Sequence, residues 1–225
     1  MKIDIKYKPG FAMACVTLDA DDKIRAEAGT MVAKSANVNM KTEKASRGGV
    51  LKSLKAAFFG GESFWMNIFS TNGTKGEVKL APTLPGDIIL EELDNSTIFV
   101  QSTGFLGAED SIDIDTKFQG LKGFFSGESL FFLKLSGKGK VLLSSYGGIE
   151  KRNVSGSFIV DTGHIVAFDE SLNYKIEKFG SWKSFLIGGE GLVARFSGHG
   201  NVWIQSRNVP QLGQWLRATL PPKKK

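Results

Sequence analysis

The stretch Ser126-Gly-Glu-Ser-Leu-Phe-Phe-Leu-Lys-Leu135 indicates the architecture of this 225-residue chain, because related stretches stand before and after it. The earlier one is Gly60-Gly-Glu-Ser-Phe-Trp-Met-Asn-Ile-Phe69, and the later one is Gly188-Gly-Glu-Gly-Leu-Val-Ala-Arg-Phe196. The second glutamate lies 66 residues after the first, and the third lies 62 residues after the second. A nearly constant period of this size is typical of a structural repeat. We therefore expect three copies of one unit.

A short apolar segment with one lysine precedes each Gly-Glu pair. The three segments are Leu54-Lys-Ala-Ala-Phe-Phe59, Leu121-Lys-Gly-Phe-Phe125 and Trp182-Lys-Ser-Phe-Leu186. Mixed basic and apolar residues are typical of a segment at a membrane surface, and equally of a segment packed between units. The candidate membrane or subunit contacts are Leu51, Leu54, Phe58, Phe59, Phe124, Phe125, Trp182 and Phe185.

Alternating and glycine-rich patterns predict the strands of each copy. The triplets Val38-Asn-Met40, Ile112-Asp-Ile114 and Leu172-Asn-Tyr174 have the period of two that indicates a strand. After each Gly-Glu pair, an apolar strand leads into a glycine-containing turn and a second strand, so we expect three equivalent hairpins. The residues expected in these turns are Asn72-Gly73, Gly137-Lys-Gly139 and Gly198-His-Gly200.

Composition agrees with a folded, all-β chain. The hydrophobic fraction of 41% and the charged fraction of 23% are those of a globular protein. Twenty-seven glycines, 17 phenylalanines and only 6 prolines favour many short strands joined by glycine turns. The single cysteine, Cys15, is expected to be a buried small apolar residue. No apolar run approaches the roughly 18 residues that span a bilayer, so the cytoplasm is the expected location.

The repeat predicts how the chain is divided. We expect β repeats at 1–81, 82–145 and 146–208, followed by a helix and basic tail at 209–225. Leu212, Trp215, Leu216 and Leu220 have helical spacing, which predicts a short amphipathic helix. We expect this helix to lie against the β body, or alternatively to dock on another subunit.

The repeated glutamates form a candidate structural or inter-unit motif. An acidic side chain is a poor strand former and costs free energy when it is buried alone. We expect each carboxylate to accept backbone N–H groups or to pair with a lysine of the neighbouring unit, while a ligand or metal role stays as the alternative. The residues of this motif are Gly61, Glu62, Gly127, Glu128, Gly189 and Glu190.

Several segments together resemble a known family. They are Gly127-Glu-Ser-Leu-Phe-Phe132 with Gly137-Lys-Gly-Lys-Val141, then Val160-Asp-Thr-Gly-His-Ile-Val-Ala-Phe168, and Gly188-Gly-Glu-Gly-Leu192. They resemble uncharacterised prokaryotic proteins related to the mitochondrial biogenesis protein called altered inheritance rate of mitochondria twenty-four. The resemblance implies three β-sandwich units similar to the tryptophan RNA-binding attenuation protein, arranged with pseudo-threefold symmetry. It implies no reaction.

The sequence offers little that an enzyme requires. Its two histidines, His164 and His199, lie in different copies, each beside a glycine, without the spacing of a metal site. His164 is expected at a turn or strand edge, and His199 at a hairpin tip. The acidic run from Glu109 to Asp115 lacks the glycine and the distant glutamate of a calcium loop, so we expect a half-exposed strand. We expect no catalytic residues, no metal and no cofactor.

Three kinds of partner remain as hypotheses. A non-catalytic binding or scaffold protein that associates with itself is the leading one, because repeated β units leave strand edges that pair with other copies. Binding to a membrane surface through the apolar segments is the first alternative. RNA or DNA binding is the second, favoured by a net charge of +6 and the fold resemblance but not by any recurring basic patch.

Overall fold

The computed structural model describes residues 1–44, 64–116, 131–178 and 192–221. These residues form a mostly β protein with one short helix near the C-terminus. The strands are β1 Lys2–Lys6, β2 Met13–Leu18, β3 Lys23–Glu27, β4 Met31–Lys34, β5 Asn39–Lys44, β6 Trp65–Ser70, β7 Gly76–Leu80, β8 Ile88–Gln101, β9 Phe105–Glu109, β10 Ile112–Asp115, β11 Phe132–Ser144, β12 Ile149–Asp161, β13 Ile165–Asp169, β14 Asn173–Lys178 and β15 Leu192–Gln205. The helix is α1, Val209–Thr219.

Two sheets account for the described strands. One has four strands in the order β1-β2-β7-β4. The other runs β12-β15-β13-β8-β11-β9-β3-β6-β5, with β10 paired to β11 and β14 paired to β15. Every pair between these strands is antiparallel. The predicted all-β class is confirmed.

Alternation along the strands determines what is buried. In β10, Ile112 and Ile114 are buried while Asp113 and Asp115 face solvent, as the sequence pattern predicts. Cys15 is buried in β2, which also confirms the prediction. The buried side chains form three hydrophobic clusters, centred on β2, β3 and β7, on β8 and β11, and on β12 and β15. The hydrophobic core therefore consists of three clusters that succeed one another along the chain.

The three predicted hairpins are wrong. β11 continues through Gly137-Lys-Gly139, and β15 continues through Gly198-His-Gly200, each as one long strand. Gly137 and Gly198 have φ values of 124° and 109°, which glycine adopts at little cost, so the strand changes direction without ending. Near Asn72-Gly73 the chain does turn, but β6 and β7 lie in different sheets and do not pair.

Antiparallel pairs of consecutive strands occur elsewhere, before and after the long connections. They are β5 with β6, β10 with β11, and β14 with β15. The first residue of the predicted triplet is buried in each case: Val38, Ile112 and Leu172. The predicted division at 1–81, 82–145, 146–208 and 209–225 stays a prediction.

The helix begins at the predicted residue but is exposed. The side chain of Asn208 accepts a hydrogen bond from the backbone N–H of Gln211 and caps the N-terminus. No residue of α1 is buried, and Trp215, Leu216 and Leu220 face solvent. Leu212 is half-buried, but no described residue covers these three side chains, so for them the expectation that α1 lies against the β body is wrong.

Candidate functional site

A polar cleft lies where β8, β12, β13 and β15 meet. Its volume is about 530 Å³, and its walls include Glu91, Lys151, Glu170, Asn201 and Trp203. Clefts of this size are within the range of small-ligand sites, although such sites are mostly apolar. The contacts of the charged side chains decide what this cleft can do.

Glu91 is held by two partners from other strands. Trp203 Nε1 donates to Glu91 Oε1 at 2.9 Å, and Lys151 Nζ lies 2.6 Å from Oε2. The Lys151 ammonium also lies 4.8 Å from the centroid of the Trp203 ring, where the ring quadrupole attracts a cation. The three side chains form a closed set, since each one contacts the other two.

A second group of contacts fixes the turn beside the cleft. Asp169 Oδ2 accepts from the backbone N–H of Asn201 at 2.7 Å and from Asn201 Nδ2 at 2.8 Å. Glu170 contacts Lys134 Nζ at 2.7 Å, and this hydrogen bond is the main cause that lowers the pKa of Glu170. These carboxylates are bound to their own protein, so they stabilise the cleft walls.

The contact made by Asp169 has counterparts in the other parts of the chain. Glu109 Oε2 accepts from the backbone N–H of Lys140 at 3.0 Å, and Ser35 Oγ accepts from that of Glu77 at 3.0 Å. Each acceptor lies at or just after the end of β4, β9 or β13, and each donor directly precedes the part of β7, β11 or β15 that pairs with that strand. In each of the three parts of the chain, a side chain therefore accepts a backbone N–H group from a neighbouring strand at this position.

His164 has a structural role. Asn208 Nδ2 lies 2.9 Å from His164 Nε2, and Nδ1 lies 2.7 Å from the backbone oxygen of Gln205. Because an amide NH₂ only donates, Nε2 accepts, and Nδ1 carries the hydrogen that is donated to Gln205. His164 is the last residue of a short 3₁₀ turn, Thr162–His164, which confirms the predicted turn position. It ties α1 and β15 to this turn.

His199 does not lie at a hairpin tip. It is an exposed residue within β15, opposite Ser155 of β12, and its backbone oxygen accepts from Ser171 Oγ at 2.9 Å. The prediction failed because glycines on both sides of His199 bend the strand and do not reverse it. Among the described residues, no group of three or more His, Cys, Asp or Glu side chains is placed to hold a metal ion.

Glu27 is the described carboxylate with the largest pKa shift. Burial at the end of β3 raises its pKa from 4.5 to about 7. It lies opposite Met66, and its backbone oxygen accepts from Thr30 Oγ1 at 2.7 Å. The Glu27 carboxyl therefore gains or loses its proton near neutral pH, and we expect this change to alter the free energy of unfolding.

The repeated motif and the apolar segments lie outside the described residues. This applies to Gly61, Glu62, Gly127, Glu128, Gly189 and Glu190 of the candidate motif, and to Leu51, Leu54, Phe58, Phe59, Phe124, Phe125, Trp182 and Phe185 of the candidate contacts. Sequence reasoning did not find Glu91, Lys151 or Trp203. No recurring pattern marks these residues, because the equivalent positions in the other parts of the chain carry unrelated side chains.

Comparison with known proteins identifies relatives along the whole chain. A family model described as mitochondrial biogenesis AIM24 matches residues 3–207. An uncharacterised protein of Streptococcus pyogenes serotype M6 is 29% identical over 228 residues, which cover 98% of this chain and 92% of that protein. The crystal structure of a second Streptococcus pyogenes protein superposes with a TM-score of 0.80 at 27% identity, covering 97% of this chain and 99% of that one. This chain belongs to the mitochondrial biogenesis AIM24 family.

Proposed function

We propose that this protein is a non-catalytic, self-associating scaffold of the cytoplasm, built from three β-sandwich units. The observation that supports the proposal is that charged side chains in the polar cleft contact other residues of the same chain. Glu91, Asp169 and Glu170, three of the four described carboxylates that line the cleft, bind other residues of the chain at distances of 2.6–2.9 Å. A carboxylate bound in this way holds strands together and is not available as a base or a ligand.

The pairing of strands supports the three-unit architecture. In each third of the chain, one long strand, or in the first third the two strands β6 and β7, pairs with one short strand at one end and with another short strand at the opposite end. The sets are β6 and β7 with β5 and β4, β11 with β10 and β9, and β15 with β14 and β13. Each of the three hydrophobic clusters takes most of its residues from one third of the chain and the remainder from elsewhere in the chain. Two joints of one kind, β3 with β9 and β8 with β13, connect the thirds, and the third joint of a pseudo-threefold arrangement would pair β12 with β4, which are not paired among the described strands of one chain.

Exposed apolar side chains support self-association. Val32 and Met31 of β4 and Ile159 of β12 are all exposed, and β4 and β12 are terminal strands of their sheets. Exposed apolar residues along a strand edge favour pairing with another chain. A scaffold assembled from copies of itself makes use of such edges.

The mass of the protein in solution tests the proposal. We expect sedimentation equilibrium between about 1 and 100 μM to give a multiple of the 24.4 kDa chain mass. A single-chain mass over the whole range would contradict self-association. Turnover of a substrate that is abolished by Glu91→Gln, with the fold intact, would contradict the non-catalytic role.

A second function, binding to a membrane surface, is favoured by α1. Trp215 is 62% exposed, Leu216 and Leu220 are also exposed, and Arg217 lies in the same turn. The lysines at 223–225 follow in the sequence and would attract anionic headgroups. No helix among the described residues is long and apolar enough to cross a membrane.

Co-sedimentation with vesicles separates these functions. If α1 binds lipid, the protein will pellet with phosphatidylserine-containing vesicles, and the double variant Trp215→Ser with Leu216→Ser will stay in the supernatant. Gln214→Ser is the matched control on the same helix and should pellet like the wild type. A salt-dependent shift of RNA or DNA without vesicle binding would instead favour the nucleic-acid alternative.

A further inference from the structure

Two strand-to-strand joints connect the successive parts of the chain. In the first joint, β3 pairs with β9, and Ala26 lies opposite Gly107. In the second, β8 pairs with β13, and Val100 lies opposite Ala167. Gly107 and Ala167 are both small, and at Gly107 the neighbouring backbone leaves no room for a side chain. A Cβ atom on Gly107 would lie 2.9 Å from the backbone oxygen of Arg25.

Each joint also inserts an apolar side chain into the core of the preceding part. Leu106 of β9 is 1% exposed and packs in the cluster that contains the residues of β2, β3 and β7. Val166 of β13 is 0% exposed and packs in the cluster of β8 and β11. The joints are therefore held by backbone pairing and by a buried side chain.

β4 is equivalent to β9 and β13 but forms no such joint with a described strand. Register against the neighbouring strand establishes the equivalence: Lys34 lies opposite Val78, as Ala108 lies opposite Val141 and Phe168 opposite Val202. Counting back from these positions, Ala33 corresponds to Gly107 and Ala167, and Val32 corresponds to Leu106 and Val166. Val32 is 57% exposed, and Ala33 is exposed as well.

β12 is the other unmatched edge. The last residues of β12 pair with the beginning of β15. In the same way, the end of β3 pairs with β6 and the end of β8 pairs with β11. By this register, Val160 corresponds to Ala26 and Val100. Among the described strands, β12 pairs with β15 alone. Ile159 is 40% exposed, whereas Phe99 at the equivalent position is 6% exposed and stacks on Phe168 with ring centroids 5.2 Å apart.

The composition of the β12 edge favours a strand as its partner. Residues 155–160 read Ser-Gly-Ser-Phe-Ile-Val and contain no charge. Natural edge strands that stay unpaired are usually protected by charged residues, proline or a bulge, and β12 carries its charges only at its two ends, at Glu150, Lys151 and Arg152 and at its last residue, Asp161. An uncharged edge with an exposed isoleucine fits a β-strand of matching pattern.

We propose that β4 of one chain pairs antiparallel with β12 of a second copy, in the register of the two internal joints. Ala33 then lies opposite Val160, and Lys34 lies opposite Ile159. The Val32 side chain then packs into the core beside β12 of the second copy, just as Leu106 and Val166 each pack into the core of the preceding part of their own chain. The proposal rests on the self-association proposed above and specifies its interface. Because the two edges differ, the contact is head-to-tail and generates rings or filaments.

Disulfide formation between two different single-cysteine variants tests the interface. Both variants carry Cys15→Ser, and one adds Lys34→Cys while the other adds Ile159→Cys. When they are mixed under mild oxidation, we expect a disulfide-linked dimer at more than about ten times the yield of either variant alone, because residues that face each other across strands have Cβ atoms close enough for the bond. Lys34→Cys mixed with Ser155→Cys is the off-register control.

The effect on assembly gives a second measurement. Val32→Asp should raise the dissociation constant of the assembly at least about 100-fold, since a carboxylate would be buried without a partner at the joint. Val209→Asp is the matched control, because Val209 is 41% exposed and lies outside both strands. Val32 is exposed in the single chain, so both variants should fold.

Each outcome separates the interface from self-association itself. A dimer crosslink together with loss of assembly in Val32→Asp supports the proposal. An assembly that gives no crosslink and tolerates Val32→Asp shows that copies associate through another surface, which overturns the interface alone. A single-chain mass at all concentrations overturns both proposals. A double variant with Lys34→Cys and Ile159→Cys that crosslinks only within one chain also overturns the head-to-tail joint.

Discussion

Trp203 and Glu91 are 112 residues apart in sequence and are joined by a hydrogen bond of 2.9 Å from the indole N–H to the carboxylate. The bond links β15 to β8, and Lys151 of β12 contacts both side chains. The Glu91 carboxylate therefore joins three strands, β8, β12 and β15, which belong to two parts of the chain. Partial burial of Glu91 makes the contact stronger than an exposed ion pair.

Glu91→Gln should destabilise the protein by about 1–3 kcal/mol, because the charged acceptor of both bonds is lost. Asp94→Asn is the control, since Asp94 contacts Lys138 at 3.0 Å and both side chains are largely exposed, a pair that contributes little. Urea unfolding of the two variants provides the measurement. Equal free energies of unfolding would contradict the structural role of Glu91.

Asp169→Ala should cost more stability than Ser35→Ala. Asp169 accepts two hydrogen bonds from Asn201 in a partly buried turn, whereas Ser35 accepts one in an exposed turn. We expect losses of about 2 kcal/mol and less than about 1 kcal/mol, respectively. Thermal unfolding compares them with Asp113→Ala, which removes an exposed carboxylate of β10 and should change little. The reverse order would show that the turns are not equivalent.

Gly198→Ala tests whether the bend in β15 requires glycine. At a φ of 109°, an alanine is strained wherever its Cβ atom points, so we expect a loss of about 1–3 kcal/mol. Gly213→Ala in α1 is the matched change, because nothing lies within 4 Å of the added Cβ atom. That variant should gain up to about 1 kcal/mol through higher helix propensity, and its helical signal should rise in circular dichroism. A neutral Gly198→Ala would show that the bend has another cause.

Glu27 should make stability fall as the pH rises. Because burial raises its folded pKa to about 7, above the 4.5 of an unperturbed glutamate, the folded state binds the proton more tightly than the unfolded state. Its favourable contribution is complete below about pH 4.5 and is lost as the pH rises through about 7, by at most about 3 kcal/mol.

Glu27→Gln should remove this dependence. The amide resembles the protonated acid, so the variant should be more stable than the wild type at pH 8 and similar at pH 4.5. Urea unfolding at these two pH values provides the comparison. A Glu27→Gln variant with the same pH profile as the wild type would contradict the assignment.

The sequence predicted local features where a short pattern determines the outcome. Alternation in Ile112-Asp-Ile114 predicts a strand with one buried face, and the apolar surroundings of Cys15 predict burial. The spacing of apolar residues predicts the helix at 209–220, and the structure adds the capping side chain of Asn208 at its start. The resemblance to the AIM24 family is confirmed by the family model.

The hairpin prediction was wrong because a glycine between two apolar stretches permits either a turn or a continuing strand. Gly137 and Gly198 allow either a reversal or a bend, and only pairing with β8 and β12 along the full strand favours the bend. The polar cleft escaped notice for a related reason. Glu91, Lys151 and Trp203 become neighbours through strand register, which no local pattern in the chain encodes.

The sequence by itself determined the β class, the period of the repeated segments, the alternation of buried residues and the C-terminal helix, because each depends on residues close together in the chain. Tertiary structure alone decided that the long strands bend without ending, that α1 stays uncovered, and that Glu91 binds Trp203. It also decided which edges pair among the described strands: Ala26 of β3 lies opposite Gly107 of β9, whereas β4, with Ala33, pairs with β7 alone. These outcomes depend on contacts between residues far apart in the chain, whose free energy is defined only when the strands are assembled.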